Sequence, residues 1–179
     1  MMAYSDLVKT EIALSEAKVP EEKKLEDAVQ VFASEKNSSY ELQANTVLLR
    51  VLTAQGKQEK SRQLIQMLTA EVAAQRNTNF GFSLDARLAI EEASWRRQTN
   101  SEAEAKLQDI IAVSTQHGYS VDRLAAQAIL AKLEIEAGNT NRGERLLSAV
   151  RSEAAQKNLV LVVNMTNSHA YRRGALSQG

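Results

Sequence analysis

The chain has 179 residues, 22 basic and 22 acidic side chains and no cysteine. The balanced charge gives no footing for nucleic acid or an anionic membrane, and the missing thiols remove disulfides, thiol catalysis and thiolate metal sites. Hydrophobic residues make up 44% and aromatics only 4%, enough for a core built on Ala and Leu and too much for a disordered chain.

In chain order, the first helix is read at about residues 4–17, with Leu7, Ile12 and Leu14 as its apolar positions. Val19-Pro20 breaks it, and Pro20 suits the first position of a second helix running to about Lys36, where a missing N–H costs nothing. Leu25, Ala28, Val29, Phe32 and Ala33 face inward there. A third helix follows Ser38-Ser39 and ends at Gly56, and a fourth covers about residues 58–76. Phe80-Gly81-Phe82 reads as a turn, with Ser83 capping a fifth helix that reaches about Arg97. Ser101-Glu102-Ala103-Glu104 is a capping-box pattern opening the sixth helix, which stops at His117-Gly118.

Residues 120–158 give the clearest pattern. Leu124, Ala128, Ala131 and Ile135 recur at helical spacing, and Leu130 and Leu133 broaden that stripe. Gly138 stops this seventh helix, because glycine alone adopts a left-handed conformation without a Cβ penalty. Thr140 or Asn141 caps the eighth, which carries Leu146, Leu147, Val150 and Ala154. The short turn makes the two helices antiparallel. A ninth helix, about residues 160–173, closes the chain although Leu159–Val163 is rich in β-branched residues; packing commonly overrides propensity.

Lys36-Asn37, Arg76-Asn77, His117-Gly118 and Lys157-Asn158 fall at equivalent points of the even-numbered helices, at spacings of 40, 41 and 40. A fixed period of that size marks a solenoid of helix pairs, in which neighbours stack to bury faces that no pair buries alone. The repeats are read as about 4–37, 40–77, 82–118 and 120–158, all in one domain spanning 1–179.

The hairpin resembles a tetratricopeptide repeat: Gly138-Asn139 stands for the inter-helix turn, and Leu147 and Val150 for the packing positions of the second helix. Gly56 with Ile65 and Leu68 repeats this more weakly. The period exceeds the usual 34, the Trp and Leu-Gly of the first helix and the Pro ending the second are absent, and Gly143 stands where the family prefers Ala. The chain is more similar to the degenerate, long-helix arrays of bacterial signalling proteins such as MalT-like regulators. The resemblance implies an all-α fold, a right-handed α-solenoid of antiparallel hairpins with about nine helices. It also implies a concave groove, lined by helices three, five, seven and nine, that binds a peptide or partner protein. Superposing Leu42, Leu84 and Leu124 puts Arg50, Glu92 and Lys132 on one rung and Thr53, Trp95 and Ile135 on the next. Ser168 and Tyr171 are the equivalents on the ninth helix. Trp95, with its polar flanks, reads as a groove anchor, but with Ile90 and Ala93 it fits packing between repeats, and the packed reading is preferred.

Signals for chemistry are sparse. Gly56-Lys57 lacks the glycines of a phosphate loop, and His117 and His169 have no second ligand at metal spacing. Ser168-His169 are helix neighbours that point about 100° apart, unlike a nucleophile and its base. Glu91-Glu92, Glu102/Glu104 and Glu134/Glu136 read as solvated charge, with Glu92 reaching Arg96 one turn on. Neither an enzyme nor a cofactor is expected. Asn37-Ser38-Ser39 and Asn164-Met165-Thr166 match glycosylation acceptors but are discounted, since no basic and apolar leader opens the chain. Leu159–Val163 is too short to cross a bilayer. The expectation is a cytoplasmic protein with no membrane partner, and the Met1-Met2 start reads as a piece of something longer. Two alternatives to the scaffold stand: a ligand-sensing module of a regulator, or an oligomerisation segment that forms a homodimer through its terminal helices. Residues 140–179 carry six Arg/Lys against two Glu, a net of +4 balanced by −4 elsewhere, which reads first as a solvated surface and only second as a bias toward end-to-end contacts.

Overall fold

The structure, a computed structural model, describes residues 2–16, 18, 20–75 and 79–166. Every regular element among them is helical: α1 (Met2–Ser15), α2 (Glu22–Ser34), α3 (Ser38–Ala54), α4 (Gln58–Gln75), α5 (Phe80–Ser94), a 3₁₀ turn (Trp95–Arg97), α6 (Asn100–His117), α7 (Ser120–Glu136) and α8 (Thr140–Gln156). Residues 160–166 are helical as well. The expected remainder of the closing helix lies outside the described residues, as does Arg76-Asn77.

One backbone device joins most of these helices. At Lys36, Gly56, Gly118, Gly138 and Asn158 φ is positive, between +54° and +93°. The residue after each one donates its N–H to the carbonyl five residues back: Asn37 to Phe32, Lys57 to Leu52, Tyr119 to Ser114, Asn139 to Glu134 and Leu159 to Ala154, at 2.8–3.0 Å. The carbonyl of that same residue then accepts the first bond of the following helix, from Glu41, Ser61, Arg123, Gly143 and Val163 in turn. A single residue thus satisfies an orphan carbonyl of one helix and accepts the first hydrogen bond of the next. Lys36 and Asn158 take the left-handed conformation without being glycine, at a cost of about 1 kcal/mol each. Within each half of the chain these positions recur every twenty residues, at 36 and 56 and then at 118, 138 and 158. That is half of the period read from the sequence.

The chain forms two compact units, Met1–Arg96 and Arg97–Gly179. In the first, α3 touches α1, α2, α4 and α5. Its burial on nearly all sides follows from Leu42, Ala44, Val47, Leu48, Leu49, Val51 and Leu52, which cover too wide an arc for one stripe. One side packs with Leu7, Leu25, Ala28 and Phe32; the other packs with Leu68, Ala86 and Ala89. Tyr40 sits among rings, 5.5 Å from Tyr4, 5.4 Å from Phe32 and 6.3 Å from Phe82 between centroids. In the second unit α7 takes the same central part between α6 and α8. Leu124, Ala128 and Ala131 meet Leu147, Val150, Ala154 and Val162 there. Val162 is 1% exposed, so core packing holds the β-branched stretch helical.

Several expected boundaries move. Phe80-Gly81-Phe82 is the first turn of α5, not a loop, and Asn79 is its N-cap; Phe82 packs against the α3–α4–α5 core, which outweighs the low helix propensity of Gly81. The fifth helix gives way at Ser94, whose hydroxyl donates to the Ile90 carbonyl at 2.7 Å, and tightens to 3₁₀. The capping box lies two residues earlier than expected: Thr99 Oγ1 accepts from the Glu102 N–H, and Glu102 Oε2 accepts from the Thr99 N–H at 3.0 Å. Pro20 precedes α2 by two residues instead of opening it, and its carbonyl accepts from Gln55 Nε2 at 3.1 Å. Asn139, not Thr140 or Asn141, is the N-cap of α8.

Glu22, in the first turn of α2, accepts from both Lys57 and Lys60 at the start of α4. Lys57 first and Lys60 second hold its carboxyl down at about 2 against an ordinary 4.5. A carboxyl with a depressed folded value contributes stability that is complete above 4.5 and is lost as pH falls toward 2. The variant Glu22→Gln is therefore expected to melt below the wild type at neutral pH. Melts repeated from pH 6 down to about pH 2 should show the difference closing. A constant difference would assign the effect to something other than this ion pair.

Candidate partner-binding face

The structure draws two of the expected groove residues, Arg50 and Glu92, together. Arg50 on α3 forms a two-pronged pair with Asp85 on α5: Nη1 donates to Oδ2 at 3.1 Å and Nη2 to Oδ1 at 2.5 Å. Its Nε lies 3.7 Å from Glu92 Oε2. Asp85 and Glu92 stand two helical turns apart, so both carboxylates project from one side of α5 toward α3. Glu11 of α1 completes the group. Its carboxyl titrates above the ordinary 4.5, first because it is buried and second because Asp85 repels its charge, with Arg50 pulling the other way. Burial works against the charge on Arg50, but Asp85, Glu92 and Glu11 outweigh it and hold the guanidinium above its ordinary value. Among the described residues one cation therefore serves three carboxylates, and the side chains of Arg50, Asp85 and Glu92 are 21%, 29% and 34% exposed.

Thr53 is exposed nearly one turn beyond Arg50, its hydroxyl donating to the Leu49 carbonyl at 2.8 Å. Trp95 is only 6% exposed, with the Arg96 guanidinium 4.4 Å from its ring centroid. Of its two readings, the ring takes the packed one. Glu92 reaches Arg50 rather than its helix neighbour Arg96. Lys132 and Ile135 belong to the second unit. Lys132 is half-buried. Ile135 packs with the Leu124–Leu147 core and lies so near Gly143 that a Cβ there would meet its Cγ1 at 2.5 Å. Ser168 and Tyr171 lie outside the described residues.

Sequence reasoning missed Asp85 and Glu11. The seven-residue interval from Asp85 to Glu92 was a usable signal. Glu11 offers none, since pairing across helices leaves no periodic trace.

The second unit has a polar cluster of its own. Glu134, 5% exposed, accepts from Asn139 Nδ2 at 2.9 Å and forms an ion pair with Arg142 Nη1 at 2.9 Å. Asn139 is thereby turned away from capping α8. Glu153 accepts from Arg123 and then Lys157, which hold its carboxyl below the usual range. Near the start of α8 lie two open depressions of about 400 and 440 Å³, one beside Glu144 and Ser148 and one beside Asn139 and Arg142. Among the described residues no group of His, Cys, Asp and Glu is placed to hold a metal ion, and no helix is long and apolar enough to cross a membrane. His117 is the exposed last residue of α6. No known protein family, no curated protein and no solved structure matches this chain.

Proposed function

We propose that the chain is a non-catalytic binding module whose α1–α3–α5 face takes a basic segment of a protein or peptide partner. One observation carries this: among the described residues Arg50 is the one cation found against Glu11, Asp85 and Glu92, so the face keeps an excess of partly exposed negative charge. A partner's Lys or Arg would supply the missing cation, and Thr53 offers a hydroxyl beside it. The recurring helix junctions and the likeness to tetratricopeptide repeats support the wider reading. In that reading the helix pairs stack as a right-handed solenoid, and the chain serves a cytoplasmic bacterial signalling or regulatory protein.

A displayed library of random peptides, selected against the purified protein, tests the proposal. The recovered sequences should be rich in Lys and Arg, and Glu92→Gln should weaken their binding about fivefold while leaving the melting curve close to the wild type. Recovery of peptides without cationic residues, or binding indifferent to Glu92→Gln, would overturn it.

A further inference from the structure

The carboxylates around Arg50 have an apolar border. On α1, Tyr4, Val8 and Ile12 are 49%, 38% and 47% exposed and recur every four residues along one side of the helix. The stripe begins at the aromatic group and ends beside the ion pairs. The Tyr4 ring stands 5.5 Å from Tyr40 at the start of α3, and Tyr40 stands 6.3 Å from Phe82 at the start of α5. Glu11 follows Tyr4 by seven residues and Val8 by three, so its side chain leaves α1 within about 60° of both. The same carboxyl is close enough to Asp85 and Arg50 to feel their charges. It therefore lies between the apolar stripe and the Arg50 group, and Lys9 falls on the far edge of the stripe.

Stripe and carboxylates together specify a partner. An apolar row at four-residue spacing suits the apolar row of a second helix laid alongside, because ridges at that spacing interdigitate. Asp85 and Glu92 stand seven residues apart on α5, about 10 Å along its axis, so cations two turns apart on such a helix match them. Among the described residues Arg50 is the one cation found against Glu11, Asp85 and Glu92, and surplus negative charge turns away an acidic helix or an anionic lipid surface. We infer that the partner is a basic amphipathic helix, its apolar row seated on Tyr4, Val8 and Ile12 and its Lys or Arg flank turned to Glu11, Asp85 and Glu92. This rests on the acidic face taking a basic segment at all, and it adds that segment's conformation and its apolar row.

Two synthetic peptides of about five helical turns test this. Both are made of leucine, lysine and alanine in the same proportions; one places its leucines in a single row with lysines on the flank, and the other scatters them around the helix. Fluorescence anisotropy against the purified protein should show the patterned peptide binding about tenfold more tightly. Circular dichroism of that mixture should show more helix than its components separately. Val8→Gln removes apolar surface without adding charge and should bring the two peptides within about twofold of each other; Ile12→Gln replaces it if the first variant melts early. Glu92→Gln should weaken both peptides. Equal binding of the two, binding without a gain of helix, or a preference that survives Val8→Gln and Ile12→Gln would each overturn the amphipathic partner while leaving the basic segment standing. Failure of both peptides to bind, or binding indifferent to Glu92→Gln, would overturn the two together.

Discussion

Gly143→Ala is expected to destabilise the second unit by about 1–3 kcal/mol, the range for forcing a methyl into a packed interface. A Cβ at this position would lie 2.5 Å from Ile135 Cγ1 and 2.6 Å from the Ala131 carbonyl oxygen. The first neighbour is a side chain that can rotate. The second is backbone of α7, so relief requires the two helices to part, and their separation opens the contacts of Leu124, Ala128 and Leu147. Alanine recovers up to about 1 kcal/mol of helix propensity over glycine, which offsets only part of the loss. Thermal or urea unfolding measures the net effect, with a lowered midpoint of several degrees for a unit of this size. Adding Ile135→Ala separates the two causes. It removes the side-chain clash and leaves the carbonyl, so the midpoint should stay below that of Ile135→Ala alone. A Gly143→Ala protein as stable as the wild type would mean that α7 and α8 are not held at this distance.

Arg50→Met is expected to cost about 2 kcal/mol near neutral pH. Breaking a fully buried ion pair costs about 3–5 kcal/mol, and partial exposure of this group reduces that through solvent screening. Methionine keeps the apolar stem and removes the charge, so Asp85, Glu92 and Glu11 face one another uncompensated. The pH dependence identifies the cause. Glu11 already holds its proton above 4.5 in the fold. A carboxyl with a raised folded value contributes stability that is present below 4.5 and lost as pH rises through the folded value. Without Arg50 to oppose burial and Asp85, that loss deepens. The gap between variant and wild type should therefore be widest near neutral pH and should narrow on acidification toward 4.5. Adding Glu11→Gln should restore part of the stability at neutral pH. A gap independent of pH would mean that the lost packing of the arginine stem, not its charge, accounts for the effect.

These two sites differ in how far the sequence discloses them. The superposition of Leu42, Leu84 and Leu124 rests on a period alone, yet all three are fully buried, because a regular helix repeats its buried positions regularly. Arg50 and Glu92 were paired by the same alignment. Asp85 was not, although its seven-residue interval to Glu92 was there to be read; Glu11 was not because an ion pair between helices depends on which faces meet. Gly143 stood out as a departure from the usual alanine, but only the distance to Ala131 explains the difference. Trp95 was ambiguous because its polar flanks suit an anchor while Ile90 and Ala93 suit a packed ring, and its burial distinguishes them.

The junctions at Asn37, Lys57, Tyr119, Asn139 and Leu159 are made by main-chain atoms, and this bears on how such a chain can change by descent. A residue whose main chain ends one helix and begins the next asks little of its own side chain: Asn, Lys, Tyr and Leu all serve. Copies of an ancestral segment can then diverge in nearly every letter while their geometry persists, so kinship fades from the text before it fades from the backbone. Duplication also acquires a natural unit. Gain or loss of one twenty-residue segment reverses the direction of everything downstream, while a forty-residue pair restores it. Length in this lineage should change by pairs of helices.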